Sequence, residues 1–399
     1  MPEQDNTKTV ADALMNEVGL RTAVIGIGNA GSQLALAATR AGFNSFVMNT
    51  SDKDMADDVV GQDIKAFRIG DGRGSGMNRD IAQTLLNMNG ADGIREIFEN
   101  PYFTAAVEPS DVVFVTFSAG GGTGSGVGPI MADYIHRAYP SKVVIPYAVL
   151  PKMAESDQAH SNSIACVNDI EKIGVPFMLA DLAFYENEPQ DVTFKKVTDY
   201  VVETMKVIRG DYLRMSASGM IDERDMLTVV SEPGYMTIHM KKGITEPMLS
   251  DKTLQGYIID QIKSSPAVRI QHDKLIQYSA VIANVNDSVQ DPAKTGDFSE
   301  LNNFVGVPRA TYKNYAVSES MSEFEIFVIS SGLTTPLDRT AAAKETVASR
   351  AASRNKRSSL NLDEARKATE VGGNAATRNI IMGSGQNQKA NLSFLNGKK

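Results

Sequence analysis

Residues 118–126 read SAGGGTGSG, five glycines among nine positions, and they follow directly on the apolar run VVFVTF at 112–117. A short β-branched run closed by glycines reads as a buried strand. Apolar spacing over 128–138 predicts the helix that comes next. Bare backbone at such a junction has two uses. Each glycine lacks a Cβ and tolerates positive φ, so consecutive amide N–H groups can converge on an anion at the positive end of the following helix. Alternatively, the glycines only let strand and helix approach closely. In the first reading Ala119, Gly120, Gly121, Gly122, Thr123, Gly124 and Ser125 surround a phosphate, and the hydroxyls of Thr123 and Ser125 face its oxygens or a magnesium shell. No lysine follows the glycines, which excludes a Walker A loop.

Two more glycine loops open helices or turns. Gly26-Ile27-Gly28-Asn29-Ala30-Gly31 fits GxGxxG after the strand-like TAVIGIG, so a dinucleotide-binding turn and a Rossmann-type oxidoreductase enter as one reading. That reading needs an acid at the end of the second strand for the ribose, and the chain has Asn49-Thr50-Ser51 there, with Asp52 only beyond. The third loop, GDGRGSGMNRD at 70–80, brings Gly74 and Gly76 together with Arg73 and Arg79, which are either ordinary surface charge or partners of a terminal phosphate. Three glycine loops on one sheet fit a nucleoside triphosphate.

The 399 residues exceed one ordinary core and imply two domains with something extra. No apolar stretch approaches the ~18 residues that span a bilayer. The start, MPEQDNTKTVADALMNE, lacks the basic end and apolar centre of a signal peptide, so a cytoplasmic protein without a membrane partner is expected. The single cysteine, Cys166, excludes an intramolecular disulfide, and four histidines show no zinc-ligand spacing. Within the helical pattern SIACVNDI, Cys166 reads as a buried, inert thiol. The net charge of −8 is uneven, because residues 336–399 hold 12 Lys and Arg against 5 Asp and Glu. The tail is basic and the rest acidic.

Strand patterns at 22–28, 44–50, 112–117, 142–151 and 175–183 alternate with helical patterns at 33–40, 79–98, 128–138 and 160–174. Such alternation predicts an α/β parallel sheet covered on both faces, with ligand loops at the strand C-terminal ends. A longer helix is expected from Phe194 to about Met215. Beyond it GYMTIHM, IQYSAVIANV and FEIFVISSGL read as strands of an α+β second domain, with a helix over TLQGYIIDQIKSS. The expected organisation is a helical extension at 1–19, a nucleotide-binding domain at 20–193, a central helix at 194–218, a second domain at 219–335, and a basic tail at 336–399, helical at first and then disordered.

GGGTGSG after a buried strand resembles the signature loop of the tubulin/FtsZ superfamily, and other motifs follow in the same order. GIGNAG is similar to that family's first phosphate loop, NTSDKD to its second, GRGSGMN to its third, and VLPKMAES to the strand end before the ribose loop. VGVPRATYKNY followed by IFVISSGL resembles the divergent plasmid and phage members, TubZ and PhuZ, more than cell-division FtsZ. The resemblance covers roughly residues 20–335.

The resemblance implies a GTPase that polymerises head to tail, with GTP or GDP and Mg2+ trapped between copies, moving plasmid or phage DNA; an FtsZ-like division filament is the nearest alternative. It implies that Gly28, Asn29, Ala30, Gly74, Gly76 and the 119–125 loop hold phosphates, and that Glu155 and Asn162 flank the ribose. Phe194 would stack on guanine and Asp199 would accept from its edge, since Thr198 stands where the family has Asn and no amide stands near Asp181. Asp222 and Asp225, in GMIDERD, match the paired acids that order the attacking water for the adjoining copy. Read without the family, Asp222 is simply a helix N-cap. The tail departs from the phage members, whose C-terminus can be acidic; by its charge this basic tail is expected to meet the next copy's acidic body, a DNA-loaded adaptor or DNA itself, and the apolar patch Leu392, Phe394 and Leu395 to be a docking peptide.

Overall fold

The computed structural model describes residues 19–371 except 56–64, 89, 216–218, 269–275, 287–296, 298 and 319–320, with side chains described to residue 354. Residues 1–18 of the expected extension at 1–19 and the end of the tail, including Leu392, Phe394 and Leu395, lie outside the described residues. Residues up to Lys344 gather into one compact unit, and Glu345–Lys399 form a second. Within its described residues the second unit is the continuation of one helix, α11 (Leu337–Val371).

The first unit opens with β1 (Thr22–Ile27), α1 (Gly28–Arg40), β2 (Asn44–Asn49), β3 (Lys65–Arg68), α2 (Arg79–Leu86), α3 (Gly90–Phe98) and α4 (Pro101–Val107). It continues through β4 (Val112–Ser118), α5 (Gly122–Ala138), β5 (Val143–Leu150), α6 (Asp157–Ile173), β6 (Pro176–Asp181), the long α7 (Gln190–Arg209) and α8 (Glu223–Val230). Then come β7 (Gly234–Ile244), α9 (Leu254–Ser264), β8 (Tyr278–Val285), α10 (Ser299–Val305), β9 (Ala310–Val317) and β10 (Phe324–Leu333). The strands join in the order β3-β2-β1-β4-β5-β6-β7-β10-β8-β9. From β3 to β7 every pairing is parallel; β10 is antiparallel to β7 and β8, and β9 is parallel to β8.

All six residues of β1 are buried, as a strand with both faces covered requires. Ile25, Val113, Val115 and Phe117 enter one apolar cluster with α4 to α6, while Val24, Val112 and Phe114 enter a second with α1, α7 and α8. Cys166 is fully buried in the first cluster, and burial pushes its thiol up to about 12, so it is inert as expected. No described helix is long and apolar enough to cross a membrane.

Helix α7 fixes the geometry of everything that follows. Near its start Thr193 Oγ1 donates to the Tyr185 carbonyl, beyond the C-terminal end of β6. At its end the Arg209 carbonyl accepts from the Leu20 N–H, just before β1 begins. Its 20 residues, about 30 Å at 1.5 Å each, therefore run from one end of the parallel strands to the other. Gly210 stops the helix at φ 97°, so it ends before the expected Met215.

Two other helices differ from expectation. The stretch expected as one helix over 79–98 is broken at Asn87 and Met88 into α2 and α3. Helix α5 begins six residues early, inside the glycine run. The cause is packing, since a Cβ on Gly126 would lie 2.8 Å from the Arg79 carbonyl and one on Gly128 would lie 2.4 Å from the Phe117 ring. Glycine's poor helix propensity is overridden by contacts that only glycine permits.

His239, on β7, is buried, and neither ring nitrogen has a hydrogen-bond partner. Burial pushes its imidazole down to about 3. The unfolded chain therefore binds a proton below pH 6.5 that the folded chain refuses, so this contribution to stability is complete above 6.5 and is lost as pH falls towards 3. Urea unfolding at pH 7 and pH 5 should show His239→Leu losing about 2 kcal/mol less than the wild type over that interval. Equal losses would mean that the imidazole finds a proton partner in the folded state.

Candidate functional site

Strand order reverses at β1, whose neighbours are β2 and β4, and an α/β sheet opens a crevice at such a point beyond its strand C-termini. An open cleft of about 450 Å3 lies there. Its walls are the ends of all three strands (Ile27, Asn49 and Ser118) and the loops that follow them.

Two helices begin at this cleft, α1 with Gly28, Asn29 and Ala30 and α5 with Gly121, Gly122, Thr123 and Gly124. Neither start has a side-chain cap, whereas α2, α4 and α6 are capped by Asn78, Asn100 and Ser156. First-turn amides without a cap are donors awaiting an acceptor, and each helix end carries roughly half a positive charge. Two such ends at one cleft make an anion site from backbone alone. Gly28, at φ 72°, lets the two loops touch, since a Cβ there would lie 3.1 Å from Gly124 N.

Gly74, Ser75 and Gly76 supply the third wall, with Gly74 and Gly76 at φ 81° and 57°. Thr123 Oγ1 shares hydrogen bonds with Thr50 Oγ1 at 2.6 Å and Ser75 Oγ at 3.2 Å, so three hydroxyls from three loops meet at the cleft. Asp54 adds one carboxylate to the lining. Among the described residues no cluster of three or more acids, histidines or cysteines could cage a metal. One carboxylate and hydroxyls suit Mg2+, which keeps its waters and travels with phosphate oxygens.

The five glycines of 118–126 divide between the two uses of bare backbone. A Cβ on Gly122 would lie 2.4 Å from Ser75 Oγ, and one on Gly124 would lie 2.8 Å from the Ser118 carbonyl. Gly126 packs on α2, and a Cβ on Gly120 would press on Pro151 at 3.2 Å. Gly121 alone among them has open space, its nearest neighbour being Ser118 Oγ at 4.0 Å.

Several residues expected at the ligand are placed elsewhere. Ser125 is buried and its hydroxyl donates to the Gly121 carbonyl, so it braces the loop from behind. Ala119 and Gly120 commit their N–H groups to the Val149 carbonyl and to Ser118 Oγ. Asn162 is 2% exposed, and its Nδ2 donates to the carbonyls of Met77 and Gly120, tying the 70–80 loop to the 118–126 loop. Arg79 likewise turns inward, to Asp169 at 2.6 Å, which leaves Arg73 as the cation lining the cleft. Glu155 Oε1 accepts from Lys152 N, the partly buried Phe194 sits in the second turn of α7, and Asp199 pairs with Lys195; none of the three lines the cleft. Asp181 is taken by Arg339 at 2.6 Å, a pair in which both side chains are nearly buried.

Asp222 and Asp225 form a reciprocal capping box, each carboxylate accepting from the other's backbone N–H, at 2.8 and 3.3 Å. The bland reading of these acids is thus realised in the fold. Glu223 lies close enough to Arg21 for its charge to act on the guanidinium, and Arg21 directly precedes β1. The acids consequently sit at the N-terminal end of the parallel strands, while the cleft sits at the C-terminal end. Six residues of β1 separate the two, about 20 Å.

A family profile described as Tubulin/FtsZ family, GTPase domain, matches residues 21–174. Residues 21–174 form a tubulin/FtsZ-family GTPase domain. The match starts at β1 and ends after α6, and so contains all three loops of the cleft. The chain is 24% identical to the tubulin-like protein TubZ of Clostridium botulinum C phage over 276 residues, 68% of this chain and 69% of that one. It is 23% identical to the tubulin-like protein CetZ of Pyrococcus abyssi over 248 residues, 58% of this chain and 64% of that one. A protofilament structure of TubZ from Bacillus thuringiensis serovar israelensis in its GTPγS form superposes with a TM-score of 0.70 at 17% identity, covering 92% of this chain and all of that one. This likeness extends the tubulin-like fold beyond the GTPase domain.

Thr50, Ser51, Asp54 and Ser75 line the GTPase domain's cleft and were not named from the sequence as ligand residues. Their signal was present in NTSDKD and GRGSGMN, but single hydroxyls and one acid in a loop carry no spacing rule.

Proposed function

We propose that the chain is a GTPase that assembles head to tail, cleaving GTP where the cleft of one copy meets the Asp222 and Asp225 of the next. The separation of cleft and acids to opposite ends of β1 carries this reading. One copy cannot close the site on itself, and a second copy stacked along the strand direction can. Exposed apolar side chains favour such stacking: Met77 and Ile81 stand beside the cleft, and Met220 beside the acids. Within the junction the uncapped amides hold the phosphates, Arg73 offsets terminal charge, and the two carboxylates orient water in line. Mg2+ held by the phosphates beside Asp54 and the hydroxyls would supply charge neutralisation.

On this reading the filament is cytoplasmic and moves plasmid or phage DNA, with the basic tail as its contact to DNA or a DNA-bound adaptor. The similarity to a phage TubZ and the tail's surplus of positive charge support that role. An NAD-type ribose acid is disfavoured, since Asp52 pairs with Arg68 and packs against Gly72.

Hydrolysis per copy should rise steeply with protein concentration and then level off. Phosphate release measured across a hundredfold dilution series tests this, and a flat specific activity would rule out a shared site.

A further inference from the structure

Between the end of α7 at Gly210 and the start of α8, the described residues Tyr212, Arg214 and Gly219 meet the strands β8 and β9. Two buried asparagines on those strands grip this connecting segment. Asn284, fully buried, donates from Nδ2 to the Tyr212 carbonyl at 3.0 Å and to Glu325 Oε1 at 2.8 Å. Asn314, 1% exposed, donates from Nδ2 to the Arg214 carbonyl at 3.2 Å. A third contact follows at Gly219, which takes φ 73° and lies so close to the Lys313 carbonyl that a Cβ would approach to 2.6 Å. Tyr212 is itself anchored, stacked on Phe327 at 4.3 Å with its hydroxyl on Glu203.

Asn284 also ties β8 to its neighbour β10 through Glu325, whereas the Nδ2 of Asn314 reaches the connecting segment. A buried amide in a strand is costly unless its hydrogen bonds are needed, and here both reach the same connecting segment. Alternate residues such as Ile282 meet the demands of the core. The fixed points fall on Tyr212, Arg214 and Gly219, directly upstream of the acids.

We propose that Asn284 and Asn314 are positioning residues for the hydrolysis across the junction, and that they set where Asp222 and Asp225 stand relative to the adjoining copy's nucleotide. This rests on the reading of those acids given above. Misplacing a water-orienting carboxylate by about 1 Å costs on the order of 100-fold in rate, so a slackened segment should be felt in turnover before it is felt in binding.

The test compares Asn314→Ala and Asn284→Ala with the wild type and with Asp225→Ala. Each variant's own cleft is untouched, so GTP affinity should stay within threefold and filaments should still form with GTP. Phosphate release per assembled copy should fall at least tenfold, and amide hydrogen exchange should quicken within 211–225 while the strands stay protected. Asn314→Ser, which keeps a shorter donor, should recover part of the rate and guards against a variant that does not fold. Unchanged turnover in the filaments, or parallel loss of GTP affinity, assembly and turnover in all three variants, would overturn the proposal. If Asp225→Ala itself hydrolyses GTP normally, the acids' role fails instead, a result separate from the asparagines'.

Discussion

Replacing Asp225 with alanine is expected to lower GTP hydrolysis in filaments by 100-fold or more while leaving GTP affinity within about threefold. The affinity is spared because the acid lies about 20 Å from its own cleft, at the far end of β1. The rate falls because phosphoryl transfer depends on positioning and electrostatics, and the carboxylate would order the water. Loss of the capping box adds a cost of about 1 kcal/mol to the stability of α8, which a thermal melt will register separately. Filaments of the variant should persist after assembly, seen by light scattering with GTP. A variant that releases phosphate at the normal rate would leave Asp225 as a helix cap and nothing more.

The second large effect is a contrast between adjacent glycines. Gly122→Ala drives a methyl group to within 2.4 Å of Ser75 Oγ and 2.7 Å of Asn78 N, so the 70–80 loop must move away from the 118–126 loop. Overpacking of this kind costs about 1–3 kcal/mol, and the displaced loops no longer share one cleft. GTP affinity should fall by roughly 100-fold, the ratio that about 2.7 kcal/mol corresponds to. Gly121→Ala adds the same methyl group where the nearest protein atom is 4.0 Å away, so it should keep the wild-type melting temperature, whereas Gly122→Ala should melt several degrees lower. Neither position has positive φ, so the comparison isolates crowding from backbone strain. Equal melting temperatures for both in the absence of nucleotide, or wild-type affinity of Gly122→Ala for a fluorescent GTP analogue, would show that loop contact does not shape the cleft.

What the sequence made legible follows from how each element is stabilised. Strands β1, β4 and β5 are buried on both faces, so their residues form uninterrupted apolar runs that stand out. Strands β3 and β9 escaped notice because they end the sheet, where KAFR and ATYKNYAV mix charged and half-exposed residues with the apolar ones. The start of α5 was hidden because local preference argues against a helix of glycines, and the contacts that overrule it come from Phe117 and Arg79, distant in sequence. In the site, backbone donors could be foreseen from the glycines themselves. Ser125 and Asn162 could not be placed, because a polar side chain beside a ligand loop and one bracing that loop from behind look alike in a sequence. The asparagines on β8 and β9 gave no signal at all, since their partners are carbonyls that any residue possesses.

The two strands that end the sheet have a further consequence. Unpaired rims invite lateral addition of another strand, the route by which β-proteins aggregate. Lys65 stands on β3 and Lys313 on β9, so like charges would face each other if two sheets met side by side. Sideways merger of sheets is opposed by this repulsion.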